Sequence, residues 1–186
     1  MDADFLLIMK MKQGNDAAFE KFVHKYYGEI LKYCHYRCFD MEYAEDLTQE
    51  TFLRFFSNLS DYHYEGKTKN FLYTIAGNLC KNFYKKKKDV PTERAELEKQ
   101  SVPSTDLLDF VLDRIMIETA LKSLSEELQE VIILYYFQEL KISEIADILN
   151  ISVPLVKYRL KQAKKHMEQF IGKEEFYESG KNDGKL

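Results

Sequence analysis

The sequence predicts an all-α protein made of two small helical domains joined by a flexible linker, the C-terminal one a helix-turn-helix. Apolar residues recur at helical spacing in both halves, and no segment shows sustained alternation of period two. From Asp89 to Asp106 the chain is polar, holds two of its three prolines and has no aromatic residue, which is typical of a linker. Residues 140–165 then predict a short helix, a tight turn and a second helix with a basic outer face.

These boundaries divide the chain into four parts. We expect an N-terminal domain over residues 1–88, a linker over 89–112 and a helix-turn-helix domain over 113–172. The tail at 173–186 is mixed in charge and contains glycine, so we expect it to fray.

Three helices are predicted in the N-terminal half. Asn15 or Asp16 can cap the first, and Asp40 can cap the second. A polar loop with aromatic residues follows over 60–69, and the third helix runs from about Asn70 to Phe83. It ends in a tyrosine followed by four lysines.

The helix-turn-helix is predicted from a buried stripe, a turn and a cap that agree with one another. The stripe consists of Ile142, Ile145, Ala146, Leu149, Val156 and Leu160. Asn150 tolerates the left-handed conformation that such a turn needs, and Ile151 follows it into the core. Ser152 can cap the second helix, in whose first turn the missing N–H of Pro154 costs little. The alternative is a helical hairpin that only packs, with its lysines as a solvated face.

The segment before the helix-turn-helix has the composition of a strand over residues 131–137, but its spacing predicts a helix. Ser125 and the two glutamates after it form a good helix start. The predicted buried stripe is Leu124, Leu128, Val131, Ile132 and Tyr135.

Charge and composition favour a binding protein. The formal net charge is −4, with basic clusters at 81–88 and 157–165 and acidic ones at 42–50, 93–98 and 126–130. This segregation suggests one polyanionic and one basic partner, although scatter over helix surfaces is the alternative. No apolar run approaches the roughly 20 residues of a membrane span, and the acidic N-terminus is unlike a signal peptide, so we expect a cytoplasmic protein.

The residues that carry chemistry are sparse. There is no Gly-rich phosphate loop or nucleophile motif and the histidines are scattered, so we expect no catalytic residue, no cofactor and no small-molecule substrate. Cys34, Cys38 and Cys80 are expected to be free thiols. Cys34-His35-x-x-Cys38 invites a metal site, but His35 projects from another helix face, so we predict no metal.

Three segments in this order resemble the extracytoplasmic-function (ECF) sigma factors of bacterial RNA polymerase. They are an acidic, aromatic helix at 44–52, the stretch FLYTIAGNL at 71–79, and the signature at 124–160. The resemblance covers about residues 16–88 and 117–167, which is most of the chain. It implies a non-catalytic specificity subunit that binds core polymerase and promoter DNA and has an anti-sigma partner, which in this family is often membrane-bound.

The resemblance implies that the N-terminal domain docks on the clamp helices of core polymerase. The residues that would make this contact are Asp46, Leu47, Gln49, Glu50 and Leu53. Asp46, Gln49 and Glu50 lie near one edge of a helix, and we expect Leu47 and Phe52 to add apolar contact. The residues alone would equally allow Asp46 and Glu50 to be a solvated edge.

The resemblance also implies two promoter contacts. The −10 element, as a single strand, needs aromatic stacking and cations for its phosphates, with the loop at 61–70 as the wall of a base pocket. Its predicted contacts are Tyr62, His63, Lys67, Lys69, Asn78, Lys81, Asn82, Tyr84 and Lys85. The predicted −35 contacts are Ser152, Pro154, Leu155, Lys157, Tyr158, Arg159, Lys161 and Lys164.

The chain departs from this family pattern at several positions. Many relatives have Trp where Phe71 stands and Arg where Gly77 stands. They usually have Gly-Thr where Pro154-Leu155 stand and Ser where Tyr158 stands, so base readout at −35 is expected to differ. Two other functions stay open: an ordinary dimeric helix-turn-helix regulator, and a sigma-like protein that occupies polymerase without initiating.

Overall fold

The computed structural model describes residues 2–89 and 115–182, and it describes side chains over 2–83 and 115–172. Every regular element in these ranges is helical, which confirms the all-α prediction. The elements are α1 (Ala3–Lys12), α2 (Asp16–Cys38), α3 (Met41–Ser57), α4 (Thr68–Asp89), α5 (115–122), α6 (Glu126–Ile132), a π-helical turn (Ile133–Phe137), α7 (Ile142–Leu149) and α8 (Val153–Asn182). The predicted linker falls almost entirely outside the described residues. Helix α8 extends to Asn182, through most of the segment expected to fray.

Most helix starts and turns follow the predicted capping residues. The Asn15 side chain accepts a hydrogen bond from the Ala18 N–H at 3.0 Å, which places it at the N-cap of α2. Asp40 caps α3 in the same way. Asn150 adopts the predicted left-handed conformation, with φ 51° and ψ 49°. Ser125 stands at the N-cap of α6, but its side chain makes no capping hydrogen bond.

An aromatic cluster forms the centre of the N-terminal half, which comprises α1 to α4. Phe22 is fully buried and stacks on Phe55 with ring centroids 4.8 Å apart. Phe52 and Phe56 surround this pair edge-on or tilted. The cluster joins α2 to α3 and thereby fixes the outward face of α3.

The π-helical turn corrects one sequence-based prediction. Tyr135 was expected on the buried stripe, but it is 37% exposed, whereas Ile133 and Leu134 are fully buried. The Gln138 N–H donates to the Ile133 carbonyl at 3.1 Å. This wider i→i+5 turn adds a residue and shifts the register of all later side chains. A stripe drawn with the α-helical period therefore misplaces Tyr135.

The two halves pack against each other through a buried polar contact. Glu130 of α6 is 4% exposed at its side chain, and its carboxylate pairs with Lys81 at 3.1 Å and accepts from the Tyr33 hydroxyl at 3.2 Å. Arg37 is fully buried and donates to the Gln129 side chain at 3.1 Å. Arg37 also donates to the Glu126 backbone carbonyl at 3.2 Å and forms an ion pair with the Glu126 carboxylate at 3.4 Å. Burial raises the pKa of Tyr33 well above its usual value, and the field of Glu130 adds to this.

Gly77 lies where α4 meets this contact. A Cβ added there would come within 3.0 Å of a Glu130 carboxylate oxygen and within 3.0 Å of the Tyr33 hydroxyl. Glycine in a helix interior costs about 1 kcal/mol relative to alanine. A side chain at this position would require the ends of the Glu130 and Tyr33 side chains to shift, which gives a structural reason for the departure from the arginine of many relatives.

Within the described ranges, no helix is both long enough and apolar enough to span a membrane.

Candidate polymerase and nucleic-acid interfaces

Helix α3 presents the predicted polymerase-docking residues on its outer face. Asp46 and Gln49 are exposed, Leu47 is half-buried, and Leu53 is 60% exposed. Glu50 is half-buried and forms an ion pair with Arg54 one turn later, at 2.7 Å. The opposite face of the helix carries the buried side chains Ala44, Thr48, Thr51, Phe52 and Phe55.

Phe52 does not belong to the outer face. It is 5% exposed, and its ring lies 6.3 Å from those of Phe22 and Tyr27. The expectation that Phe52 supplies apolar contact to a partner is therefore wrong, because its ring is part of the core. Leu53, the next residue, is the apolar side chain on the exposed face.

The loop between α3 and α4 holds one of its aromatic residues against the core. The Tyr62 ring lies 5.2 Å from Phe55 and 5.1 Å from Phe71. Its hydroxyl donates weakly to Thr68 at 3.4 Å, and burial raises the pKa of Tyr62. Phe71 and His63 are exposed. The loop thus offers a supported aromatic surface of the kind on which an unpaired base stacks.

A cavity of about 530 Å³ opens beside this aromatic surface. Of the predicted −10 residues, Tyr62, His63 and Lys67 line it together. The other lining residues are Asn58, Asp61, Glu65, Asn70, Phe71 and Thr74 of the N-terminal half, with Asp147 and Ile148 of α7. A pocket wall was predicted for this loop, but the contribution of α7 was not.

Helix α7 lies directly against the predicted −10 residues. Lys67 pairs with Asp147 at 2.7 Å, and the Thr74 hydroxyl approaches the Ile148 carbonyl at 3.3 Å. The hydrogen bond to Asp147 raises the pKa of Lys67. The ammonium of Lys67, predicted to contact DNA, therefore already has a carboxylate partner on α7.

The remaining predicted −10 residues are spread along α4. Lys69 pairs with Glu29 at 2.9 Å, and Lys81 pairs with Glu130 between the two halves. Asn78 and Asn82 are exposed one turn apart on a single face of the helix. The side chains of Tyr84 and Lys85 lie outside the described part of the chain. The structure therefore brings together the loop residues, whereas Lys69 and Lys81 of α4 have separate carboxylate partners.

Helix α8 separates a buried face from a basic one. Val156 and Ala163 are fully buried, which fixes the orientation of the helix on α6 and α7. The exposed side comprises the predicted −35 residues Ser152, Pro154, Lys157, Tyr158, Lys161 and Lys164, with Leu155 half-buried at its edge. Tyr158 is 59% exposed, so its ring is accessible to a partner of this face.

Arg159 differs from the other basic residues of α8. Its side chain is 19% exposed and pairs with Glu127 of α6 at 3.2 Å. The guanidinium therefore lies at the side of the basic face and has a carboxylate partner within its own half.

The three cysteines are free and buried. The Cys38 thiol donates to the carbonyls of Cys34 and Asp40, at 3.0 and 3.2 Å. A hydrogen bond with Cys34, together with burial, raises the pKa of Cys80 well above its usual value. No three His, Cys, Asp or Glu side chains in the part of the chain that the structure describes are placed to hold a metal ion.

The cysteines are expected to resist alkylation in the folded chain, even at pH 9. Burial raises the pKa of Cys38 to about 11. At pH 9 such a thiol is only about 1% thiolate, whereas one of ordinary pKa is about half ionised or more. Mass spectrometry after a brief iodoacetamide pulse should find little modification of the folded chain. The same pulse in ~8 M urea, which unfolds the chain, should modify all three cysteines. Rapid modification of the native chain would mean that the thiols are accessible and reactive.

Two family models match the chain in succession, one in each half. Sigma-70 region 2 matches residues 22–90, and Sigma-70 region 4 matches residues 114–167. Over 174 residues the sequence is 30% identical to the ECF RNA polymerase sigma factor SigW of Bacillus subtilis, a match that spans 87% of this chain and 93% of SigW. The chain belongs to the ECF RNA polymerase sigma factors.

Further comparisons agree with this assignment. The RNA polymerase sigma factor YlaC of Bacillus subtilis is 31% identical to this sigma factor over 161 residues, which span 83% of this chain and 92% of YlaC. The solved structure of CnrH, in complex with the cytosolic domain of CnrY, shares the fold with a TM-score of 0.73 at 21% identity, covering 92% of this chain and 98% of CnrH. The structure of the sigma factor RpoE of Bartonella quintana, in complex with the anti-sigma factor NepR, matches with a TM-score of 0.65 at 20% identity. The match covers 83% of this chain and 96% of RpoE.

The residues that join the two regions of this sigma factor were not predicted from the sequence. Arg37 carried a usable signal, because a cation one turn after Tyr33 on an otherwise apolar stripe predicts a buried acceptor. Glu130 stands next to Val131 and is buried at the contact, although it was counted with the surface acids. Asp147, which is exposed, gave no signal of its own.

Proposed function

We propose that this sigma factor binds core RNA polymerase through the outer face of α3 and directs it to promoters. The two halves would contact the −10 and −35 elements. The observation that carries this proposal is the presence of region 2 and region 4 in one chain, over residues 22–90 and 114–167. An ordinary helix-turn-helix regulator would not require region 2. The chain itself supplies binding surfaces and no catalytic group.

The charge distribution supports the proposal that this chain and core polymerase both contribute to DNA binding. The net charge of −4 is unfavourable for DNA binding by the chain alone, whereas the exposed lysines of α8 form a local cationic face. Lys157, Lys161 and Lys164 would hold phosphates beside the major groove, and Tyr158 and Leu155 would meet base edges. Core polymerase would supply the rest of the affinity.

Strand separation would use the loop between α3 and α4. Tyr62 and Phe71 would stack unpaired bases, His63 and Asn78 would reach base edges, and Lys67 would hold a phosphate. Because Asp147 of α7 pairs with Lys67 and α7 lines the cavity, we expect α7 to move away from the loop when DNA enters. We expect the binding of polymerase to α3 to accompany this movement of α7.

An anti-sigma factor is the expected negative regulator. Two structures of similar fold were each solved with a bound partner, one of them named as an anti-sigma factor. We propose that this chain, acting in the cytoplasm, is likewise held inactive by such a partner until an inducing signal releases it.

A gel-shift experiment tests the proposal against the helix-turn-helix alternative. Core polymerase, this chain, and the two together are mixed with labelled genomic promoter fragments. Selective retention should require both proteins. Selective retention by the chain alone, as a dimer on a palindromic site, would favour an ordinary regulator.

Arg159→Ala is expected to weaken binding of the polymerase complex to −35 DNA by about 1–3 kcal/mol if the guanidinium reads a base, and by less if it holds a phosphate. Glu127→Gln is the matched control, because it removes the ion pair at 3.2 Å but keeps the cation. Titration of fluorescent promoter DNA at physiological salt measures both variants. Glu127→Gln should bind as well as the wild type or better. Unchanged binding by Arg159→Ala would exclude a DNA contact at this residue.

A further inference from the structure

We infer that α1 positions the −10 loop and that Lys12 is the positioning residue that fixes its backbone. The inference rests on the proposed function, because it assigns that loop to −10 contact. The region 2 match begins at residue 22, so α1 lies before the matched segment.

Lys12 bridges two carbonyls of the loop. Its ammonium donates to the Ser60 carbonyl at 3.0 Å and to the Tyr62 carbonyl at 2.7 Å. Both bonds have a charged donor, which makes them stronger than bonds between neutral groups. They join residues 48 and 50 positions apart in sequence, and they hold the carbonyls of the two residues that flank Asp61.

Helix α1 is itself anchored to the body of region 2. Ile8 and Met11 are buried in the core. Asp4 pairs with Lys25 of α2 at 2.5 Å and accepts a hydrogen bond from the Tyr26 hydroxyl. Lys12 therefore extends from a support that is held on two sides, and its ammonium has a defined position relative to α2.

A second contact from α1 reaches the same loop. The Phe5 ring lies 5.7 Å from that of Tyr64. The Tyr64 hydroxyl hydrogen-bonds to Asp2, and this bond raises the pKa of Tyr64 to about 12 and lowers the pKa of Asp2. The loop is thus held at Ser60, Tyr62 and Tyr64 by one helix.

The function of these contacts follows from what the loop carries. The Tyr62 carbonyl is held by Lys12 while the Tyr62 ring lies against Phe55 and Phe71. Because the loop backbone is fixed at Ser60 and Tyr62, His63 and Lys67 are directed towards the cavity that they line. Such preorganisation lowers the cost of capturing an unpaired base, because the loop need not be ordered on binding.

Three variants of the full chain test this role. Lys12→Met removes the donor, Lys12→Arg keeps one, and Lys10→Met removes another exposed charge from the same last turn of α1. Hydrogen exchange of peptides covering residues 58–67 should be about tenfold faster in Lys12→Met, because opening of this loop no longer breaks the two bonds. Lys12→Arg and Lys10→Met should exchange like the wild type.

A functional measurement completes the test. With core polymerase and a promoter fragment that the wild type selects, permanganate reactivity of unpaired thymines should fall several-fold for Lys12→Met. Affinity for core polymerase should stay unchanged. Wild-type exchange and wild-type melting in Lys12→Met would overturn the inference. If the wild type itself melts no promoter, the proposed function fails, and the exchange comparison still decides whether Lys12 positions the loop.

Discussion

Leu53→Glu is expected to weaken the binding of core RNA polymerase by about 100-fold, or ~2.7 kcal/mol, the size of a strong interface hot spot. Leu53 is 60% exposed on the outer face of α3, away from the face that carries the buried side chains of Phe52 and Phe55. A carboxylate there would have to lose its hydration inside an apolar contact, which is costly without a cationic partner. The substitution removes no buried contact, so the free chain should fold normally. Affinity is measured by titrating fluorescently labelled chain with core polymerase.

Leu6→Glu is the matched control for this experiment. Leu6 is also an exposed leucine, 42% accessible, but it lies on α1 rather than α3. Its substitution should leave the affinity for core polymerase unchanged. Equal losses for both variants would point to a general effect of added negative charge, and no loss for Leu53→Glu would place the docking surface elsewhere.

Phe22→Ala is expected to lower the free energy of unfolding by about 3–5 kcal/mol, since it leaves a cavity in a close-packed core. Phe22 is fully buried and contacts the rings of Tyr26, Phe52, Phe55 and Phe56. Loss of its ring weakens the packing of α2 on α3, which the contacts of Phe19 with Phe56 and of Tyr27 with Phe52 would then maintain, and disturbs the orientation of the docking face. Urea denaturation followed by circular dichroism measures the change.

Phe5→Ala provides the comparison for Phe22→Ala. Phe5 is 38% exposed, and its ring contact is with Tyr64. Its truncation should cost no more than about 1.5 kcal/mol, the upper range of an aromatic pair at a partly exposed site. A similar small loss for Phe22→Ala would contradict the central place of this residue in the core.

Local signals in the sequence were sufficient for much of the fold. Asn15 and Asp40 cap the starts of helices through their side chains, and Asn150 ends a helix in the left-handed conformation. Each of these roles depends on the residue type itself, so it could be predicted from the sequence. The exposed face of α8 could be predicted because Val156 and Leu160 repeat at helical spacing; Val156 is fully buried and Leu160 is half-buried. Tyr135 was misplaced because nothing local distinguishes a π-helical turn from an α-helical one.

Contacts between distant residues could not be predicted in this way. Lys12 is an ordinary surface lysine by sequence, and its partners are carbonyls 48 and 50 residues away. Asp147 reaches Lys67 across 80 residues. Such pairs depend on how the two halves pack, and periodicity within a helix contains no information about that. Gly77 was recognised as a departure from relatives, but its closeness to Glu130 required the structure.

The most direct test of the account is run-off transcription with purified core polymerase on genomic promoter fragments, with and without this chain. The account predicts discrete transcripts that require the chain, disappear with Leu53→Glu, and start at sites that become permanganate-sensitive. Core polymerase that binds the chain but makes no specific transcript would contradict it. That result would instead identify a sigma-like protein that occupies polymerase without initiating.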